Sequence, residues 1–236
     1  MRDDARPVPV DLEAIADPRL IISAWAAGLA IVAGAIWVSR IVRPGFVWLA
    51  GGTASFLGLI AALTEGAWWA RAGVVMALAG LAMARWRRIA GTLLTLGGIA
   101  MTAQVAEAGG WLPATSGVLA LGGVTGEMLL GHWYLVDPRL PRTALRALAL
   151  IGIGGLAAEG LMLARAGLPD GDATVAFWVL LSTSIVLMLA VIGALRYPAY
   201  SGVMAATGLS YLAVLTTLGA VFLGRALVAG LGPFTT

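Results

Sequence analysis

Three ionisable side chains lie inside long apolar stretches of the sequence: Glu127 and His132 in one stretch, and Glu159 in the next. An ionisable group within a membrane span costs several kcal/mol, and it usually faces a cavity or a polar partner. A carboxyl group in such a place can bind a polar headgroup or relay a proton. These residue types therefore predict a buried polar site, with Glu127 and Glu159 as its protonatable pair.

The spacing of the two acids predicts how deep they lie. Glu127 is about ten residues, or ~15 Å, from the cytoplasmic end of its segment, and Glu159 is roughly 22 Å from the same side. The carboxyl groups are therefore expected about one helical turn apart in depth. Glycines recur at i±4 of Glu127 and at i−4 and i−7 of Glu159, which would let a ligand approach. The alternative is that these glycines only allow tight helix packing and that each Glu is structural.

His132 lies closer to the cytoplasmic end than Glu127 and about 140° round the helix from it, so the two side chains need not touch. A histidine at this depth can donate a hydrogen bond to a quinone carbonyl. The alternative is an interfacial histidine bonded to a backbone carbonyl or a lipid phosphate. Tyr134, at i+7 from Glu127, shares its face. The candidate set for quinone binding or proton relay is Glu127, His132, Tyr134 and Glu159, with Gln104 as a secondary polar site.

The residue inventory excludes several kinds of chemistry. The chain has no Cys and a single His, and all its basic residues are Arg. Thiolate metal sites, iron–sulfur clusters and Lys Schiff bases are therefore excluded, and a zinc metalloprotease would need a second His. We expect no metal site, no cofactor held by this chain alone and no nucleic-acid partner, because membrane topology explains the net charge of +3.

The composition predicts the elements that must position these residues. Of the 236 residues, 60% are hydrophobic and 11% are charged, and the mean hydropathy is +0.94. A soluble domain would carry about 25% charged residues. The sequence predicts an all-α, polytopic membrane bundle of about eight helices in one domain over residues 20–229. The third segment is the weakest, because Arg71 interrupts it. The predicted spans are 20–39, 45–64, 67–84, 89–107, 113–136, 144–164, 173–195 and 202–224.

The distribution of arginines predicts the orientation. One set of loops carries nine Arg and one acid, whereas the other set carries six Arg and nine acids. The positive-inside rule places the first set in the cytoplasm. Both termini, an acidic tail over 1–19 and a short tail over 230–236, are then non-cytoplasmic, and the location is a bacterial inner membrane. Five cytoplasmic arginines are candidates for binding anionic lipid headgroups: Arg85, Arg87, Arg88, Arg139 and Arg142.

Two of the cytoplasmic loops resemble each other. An Arg, an aromatic residue and a Gly recur in residues 85–91 and 196–202, at an offset of 111 residues. This pattern would fit a 4+4 duplication of parallel halves. The alternative is two ordinary short loops with interfacial aromatic residues.

The short loops and the isolated Glu/His/Tyr set predict a membrane subunit rather than an enzyme acting alone. The leading hypothesis is an anchor or quinone-binding scaffold in a larger respiratory or electron-transfer complex, with other subunits and membrane lipids as partners. One alternative is a small proton-coupled transporter that uses Glu127 and Glu159. The other is a purely structural, lipid-binding subunit.

Overall fold

The computed structural model describes residues 16–64, 68–138 and 140–230, and the regular elements in these ranges are all α-helices. The all-α bundle of eight helices predicted from the sequence is therefore confirmed. Most of the predicted tails lie outside the described residues. The helices are α1 (Pro18–Val38), α2 (Pro44–Thr64), α3 (Trp68–Ala82), α4 (Arg87–Gly109), α5 (Trp111–Val136), α6 (Arg142–Ala166), α7 (Asp172–Ala194) and α8 (Tyr200–Val228).

Local residue chemistry explains where the helices begin and turn. At the start of α1, the side chain of Asp17 accepts a hydrogen bond from the backbone N–H of Arg19, and Pro18 occupies the first helical position. Both features are favourable at a helix N-terminus. A single residue, Gly110, joins α4 to α5 with φ of 93°. Only glycine adopts this conformation without strain, so it makes the tight corner that places α5 beside α4.

Six of the eight helices in the described ranges are long and apolar enough to cross a membrane, which makes the chain a multi-pass membrane protein. The exceptions are α3 and α5. α3 has 15 residues, or about 22 Å, which is less than the ~30 Å of a hydrocarbon core. α5 is long enough, with 26 residues, but its composition, which includes Glu127 and several glycines, is less apolar than that of the six spanning helices. Because α5 packs against α1, α4, α6 and α8, its surface need not be as apolar as a lipid-facing one.

The helices pack as two groups of four with the same pattern of neighbours. In α1–α4 and in α5–α8, the first helix contacts the second and the fourth, and the third contacts its two sequence neighbours. The groups meet mainly through α1 and α5, where a Cβ on Gly28 would lie 2.6 Å from the Cα of Gly122. This arrangement is compatible with a 4+4 duplication, which stays a prediction.

Glycines bring α5 and α6 into backbone contact. A Cβ on Gly155 would clash with the backbone nitrogen of Ala120, and a Cβ on Gly123 would lie 2.6 Å from the backbone nitrogen of Gly152. These are the glycines that the sequence places beside the two acids, apart from Gly131. Their space is filled by the facing helix, so here the glycines serve helix packing rather than ligand access.

Candidate functional site

Glu127 lies in the middle of α5 and is fully buried against α8. Its Oε2 is hydrogen-bonded to Ser210 Oγ, whereas its Oε1 has no hydrogen-bond partner among the described residues. The carboxyl group also lacks an ion-pair partner in the described part of the chain. Glu127 is therefore a buried acid that is only half satisfied, which is unusual for a polar group in a protein interior.

The hydroxyl of Ser210 indicates which form of Glu127 fits this arrangement. Ser210 Oγ also lies 2.7 Å from the backbone oxygen of Ala206, one turn earlier in α8. A hydroxyl has one proton, which the carbonyl and Glu127 would have to share. If Glu127 is protonated and donates to Ser210, each contact is a full hydrogen bond. The geometry therefore suits a neutral carboxylic acid.

Glu159, on α6, has a very different environment. It is fully buried and forms an ion pair with Arg225, with Nε–Oε1 and Nη2–Oε2 distances of 2.6 and 3.0 Å. Ser116 Oγ donates a third hydrogen bond to Glu159, and Arg225 Nη2 lies 2.7 Å from the backbone oxygen of Pro113. With these donors, both oxygens of the Glu159 carboxyl group are hydrogen-bonded. Glu159 thus joins α5, α6 and α8 as a structural ion pair.

The two acids do not form a pair. Glu159 lies at the level of Ser116 on α5, eleven residues before Glu127, which corresponds to about 16 Å along the helix. The expected separation of about one turn in depth is therefore wrong. The reason is the register between α5 and α6, which the glycine contacts fix and which the distance of each acid from the connecting loop does not reveal.

Arg225 is the member of this ion pair that was not predicted from the sequence. The distribution of arginines assigns Arg225 to the outer loops. In the structure it lies within α8, four residues before the C-cap at Ala229, and its side chain is 0% exposed. Its neighbours in the sequence offered a signal, because it stands between Val221-Phe222-Leu223-Gly224 and Ala226-Leu227-Val228 rather than in a polar loop. An arginine with apolar residues on both sides of it predicts a buried acidic partner.

His132 and Tyr211 form a second polar contact between α5 and α8. The Tyr211 hydroxyl lies 3.1 Å from His132 Nδ1, and the two rings are nearly perpendicular. Both side chains are exposed on the helix surface, Tyr211 to 45%. Among the described residues, the hydrogen-bond partner of His132 is thus Tyr211, and that of Glu127 is Ser210. Tyr134 is buried within the main apolar cluster and is not a hydrogen-bond partner of Glu127.

Gln104 lies in the other helix group. It is 2% exposed, and its Oε1 is 3.4 Å from Ser23 Oγ on α1. Its amide nitrogen Nε2 has no partner among the described residues. The structure therefore separates Gln104 from the α5–α8 site, and its polar contact serves the α1–α4 pair.

The candidate lipid-binding arginines differ in whether their guanidinium groups already bind other groups of the protein. Arg142 donates hydrogen bonds to backbone oxygens of the α7–α8 connection, including that of Pro198 at 2.8 Å. Arg87 bonds the Val42 oxygen and stacks on the Trp37 ring. Arg85 stacks on its exposed neighbour Trp86, and Arg88 is exposed. Arg139 lies outside the described residues.

The described residues contain no group of three or more His, Cys, Asp or Glu side chains that could hold a metal ion. The polar groups available for chemistry are a buried acid without a counter-ion, a buried ion pair and an exposed His–Tyr pair, all on α5, α6 and α8. No protein-family model, curated protein or solved structure was found to match the chain.

Proposed function

We propose that this chain is a membrane subunit of an electron-transfer complex and that it binds the headgroup of a quinone at His132 and Tyr211. The observation that carries the proposal is the exposure of a hydrogen-bonded His–Tyr pair on the surface of two membrane helices. Polar groups that face lipid are costly unless a polar partner reaches them. A lipid-soluble molecule with carbonyl oxygens is a suitable partner.

The hydrogen-bonding capacity of the pair suits such a ligand. If the Tyr211 hydroxyl donates to His132 Nδ1, the imidazole carries its proton on Nε2. Nε2 has no partner among the described residues, so its N–H is available to a carbonyl oxygen. A quinone, when bound, supplies a carrier of two electrons and two protons. His132 would orient the ring, and Tyr211 would fix the tautomer that donates.

The electrons must come from another subunit. This chain has no Cys and only one His, so it lacks the ligands for an iron–sulfur cluster or a bis-histidine haem. A redox partner beside the bundle is therefore part of the proposal, as is a location in a bacterial inner membrane.

The partner can be tested by affinity purification of the full chain from its native membrane in mild detergent, followed by mass spectrometry. We expect subunits that carry haem or iron–sulfur centres. Recovery of the chain alone, from membranes solubilised in several mild detergents, would contradict the electron-transfer role.

Quinone binding can be tested on the purified chain with short-chain ubiquinone and menaquinone analogues, which quench tryptophan fluorescence. His132→Phe should weaken binding by about five- to tenfold, the loss of one hydrogen bond, and Tyr211→Phe should weaken it less, because Tyr211 fixes the tautomer that donates. Tyr200→Phe, at an exposed tyrosine at the start of the same helix, is the matched control and should bind as the wild type does. Equal affinities in all four proteins would refute the site.

A structural, lipid-binding role is the second candidate, and two apolar cavities favour it. They have volumes of about 300 and 290 Å³ and share Ile31 on α1 and Val118 and Leu119 on α5. One extends towards α6 and the other towards α4, so together they form a furrow that acyl chains can fill. Phospholipid retained after delipidation, without any quinone or protein partner, would favour this role.

The transporter alternative is weakened by the geometry of the acids. A pair of coupling carboxyls would have to exchange protons, but Glu159 is ion-paired with Arg225 and far from Glu127. Only Glu127 keeps the properties of a proton-binding group.

A further inference from the structure

Glu127 differs from Glu159, the other fully buried acid in the described helices, because one oxygen of its carboxyl group has no partner. Glu159, which is equally buried, accepts hydrogen bonds from Arg225 and Ser116. A carboxyl kept only for stability would be expected to have its lone pairs satisfied in the same way. The free Oε1 therefore calls for an explanation other than packing.

Gly131 lies beside Glu127, one turn further along α5. A Cβ on residue 131 would be 2.8 Å from Thr207 Oγ1 and 3.8 Å from Glu127 Oε1. The absence of a side chain at Gly131 thus lets the Thr207 hydroxyl lie close to α5, on the side of the unpartnered oxygen. These two oxygens are polar partners of the kind that a buried water molecule needs.

The charged and titratable groups on the neighbouring helices are engaged elsewhere. On α8, Tyr211 bonds His132, and on α6, Arg146 donates to the Leu195 oxygen at the end of α7. At the level of Glu127, α1 presents Val32 against α5, and its one ionisable residue, Arg19, is at its outer end. α4 has its ionisable residues in its first and last turns. A change of charge on Glu127 would therefore not be neutralised by a resident counter-ion.

We propose that Glu127 is a reversible proton-binding site of this membrane bundle, with Ser210 as the hydroxyl that adapts to the two states. In the protonated state, Glu127 donates to Ser210 Oγ, and Ser210 donates to the Ala206 oxygen. On release, the carboxyl group turns about its Cγ–Cδ bond so that its proton faces Gly131, the O–H bond breaks, and the proton passes to a water molecule that reaches it from that side. The Ser210 hydroxyl then turns from Ala206 to the carboxylate. This site does not depend on quinone binding at His132.

The site can be tested by infrared difference spectroscopy on the full chain in nanodiscs, recorded against pH. The carbonyl band of a protonated carboxylic acid should disappear as the pH rises, with a carboxylate band in its place. Glu127→Gln should remove this pair of bands, and circular dichroism would check its fold. Ser210→Ala should keep the acid band and shift it to higher frequency, since the acid loses a hydrogen-bond partner.

Access of water past Gly131 has its own test. Gly131→Ala should slow the exchange of the acid proton with ²H₂O by tenfold or more. Gly208→Ala, on α8, is the matched control, because a Cβ there meets nothing within 4 Å. Identical band pairs in wild type and Glu127→Gln would overturn the proposal, as would an acid band that never titrates. Replacing choline by Na⁺ as the cation of the buffer should leave the titration of the acid band unchanged. A shift of the titration would overturn the assignment to a proton.

Discussion

The ion pair between Glu159 and Arg225 allows a stability prediction with a defined magnitude. Both side chains are 0% exposed, and four hydrogen bonds tie them to each other, to Ser116 and to the Pro113 oxygen. Arg225→Leu removes the only cation that contacts Glu159 in the described structure. The carboxylate must then either stay charged in an apolar interior or take up a proton.

Removing one partner of a buried pair costs about 3–5 kcal/mol, which lowers the equilibrium constant for folding roughly a hundredfold to several thousandfold. Replacing both partners removes the uncompensated charge. The double variant Arg225→Leu/Glu159→Leu should therefore recover most of the loss, because apolar residues of similar volume are often as stable as the pair they replace. Glu159→Leu alone should cost a similar amount, because it leaves Arg225 unpaired, so the coupling energy from the double-mutant cycle should approach the sum of the two single losses.

The measurement is equilibrium unfolding of the purified chain in mixed micelles with increasing SDS, followed by tryptophan fluorescence. Arg165→Leu is the matched control, because Arg165 lies exposed in the last turn of α6, on the same side of the bundle. It should change the free energy of unfolding by less than about 0.5 kcal/mol. If the double variant is as unstable as Arg225→Leu, or less stable, the assignment of the loss to an unpaired buried charge is refuted.

Three further predictions test the packing of the bundle. In the same unfolding assay, Gly155→Ala should destabilise the protein by about 1–3 kcal/mol, because its Cβ meets the α5 backbone. Gly154→Ala is the control and should be neutral or stabilising, because a Cβ there meets nothing within 4 Å. Arg142→Gln should increase proteolysis of the α7–α8 connection, whose backbone oxygens it binds, and an unchanged cleavage rate would contradict this role. Trp25→Phe and Thr125→Val should each cost about 0.5–1.5 kcal/mol and show no additive loss together, since both remove the 2.9 Å hydrogen bond from Trp25 Nε1 to Thr125 Oγ1.

The helices themselves were largely predictable from the sequence, because apolar runs bounded by Pro, Gly and Arg determine them locally. α1 begins at Pro18 and α6 at Arg142, each within two residues of the predicted span. The third segment, which Arg71 weakens, is also the shortest helix, at 15 residues. The sequence could not show that α5 would be enclosed by other helices, since enclosure depends on which helices pack together.

The candidate site was predictable only in part. Glu127, His132 and Glu159 were found because ionisable residues in apolar segments are rare and costly. Their partners were not, because Ser210, Tyr211 and Arg225 are more than sixty residues away in the sequence. Serine and tyrosine in a membrane segment are common and carry little signal by themselves. The predicted depths of Glu127 and Glu159 suggested that the two acids lie close together. In the structure the register between α5 and α6 separates them along the bundle.

One helix, α8, provides the partner for each of the three ionisable residues. Ser210 bonds Glu127, Tyr211 bonds His132, and Arg225 binds Glu159, at different heights along the bundle. The remaining surface of α8 consists largely of Gly, Ala, Leu and Val, which offer similar packing at each turn. If α8 slid by one turn along α5, about 5.4 Å, the polar contacts would be lost together and three polar groups would be left unpaired. Polar contacts can fix the register of packed helices. The residues that make the site chemically distinct therefore also determine where α8 sits.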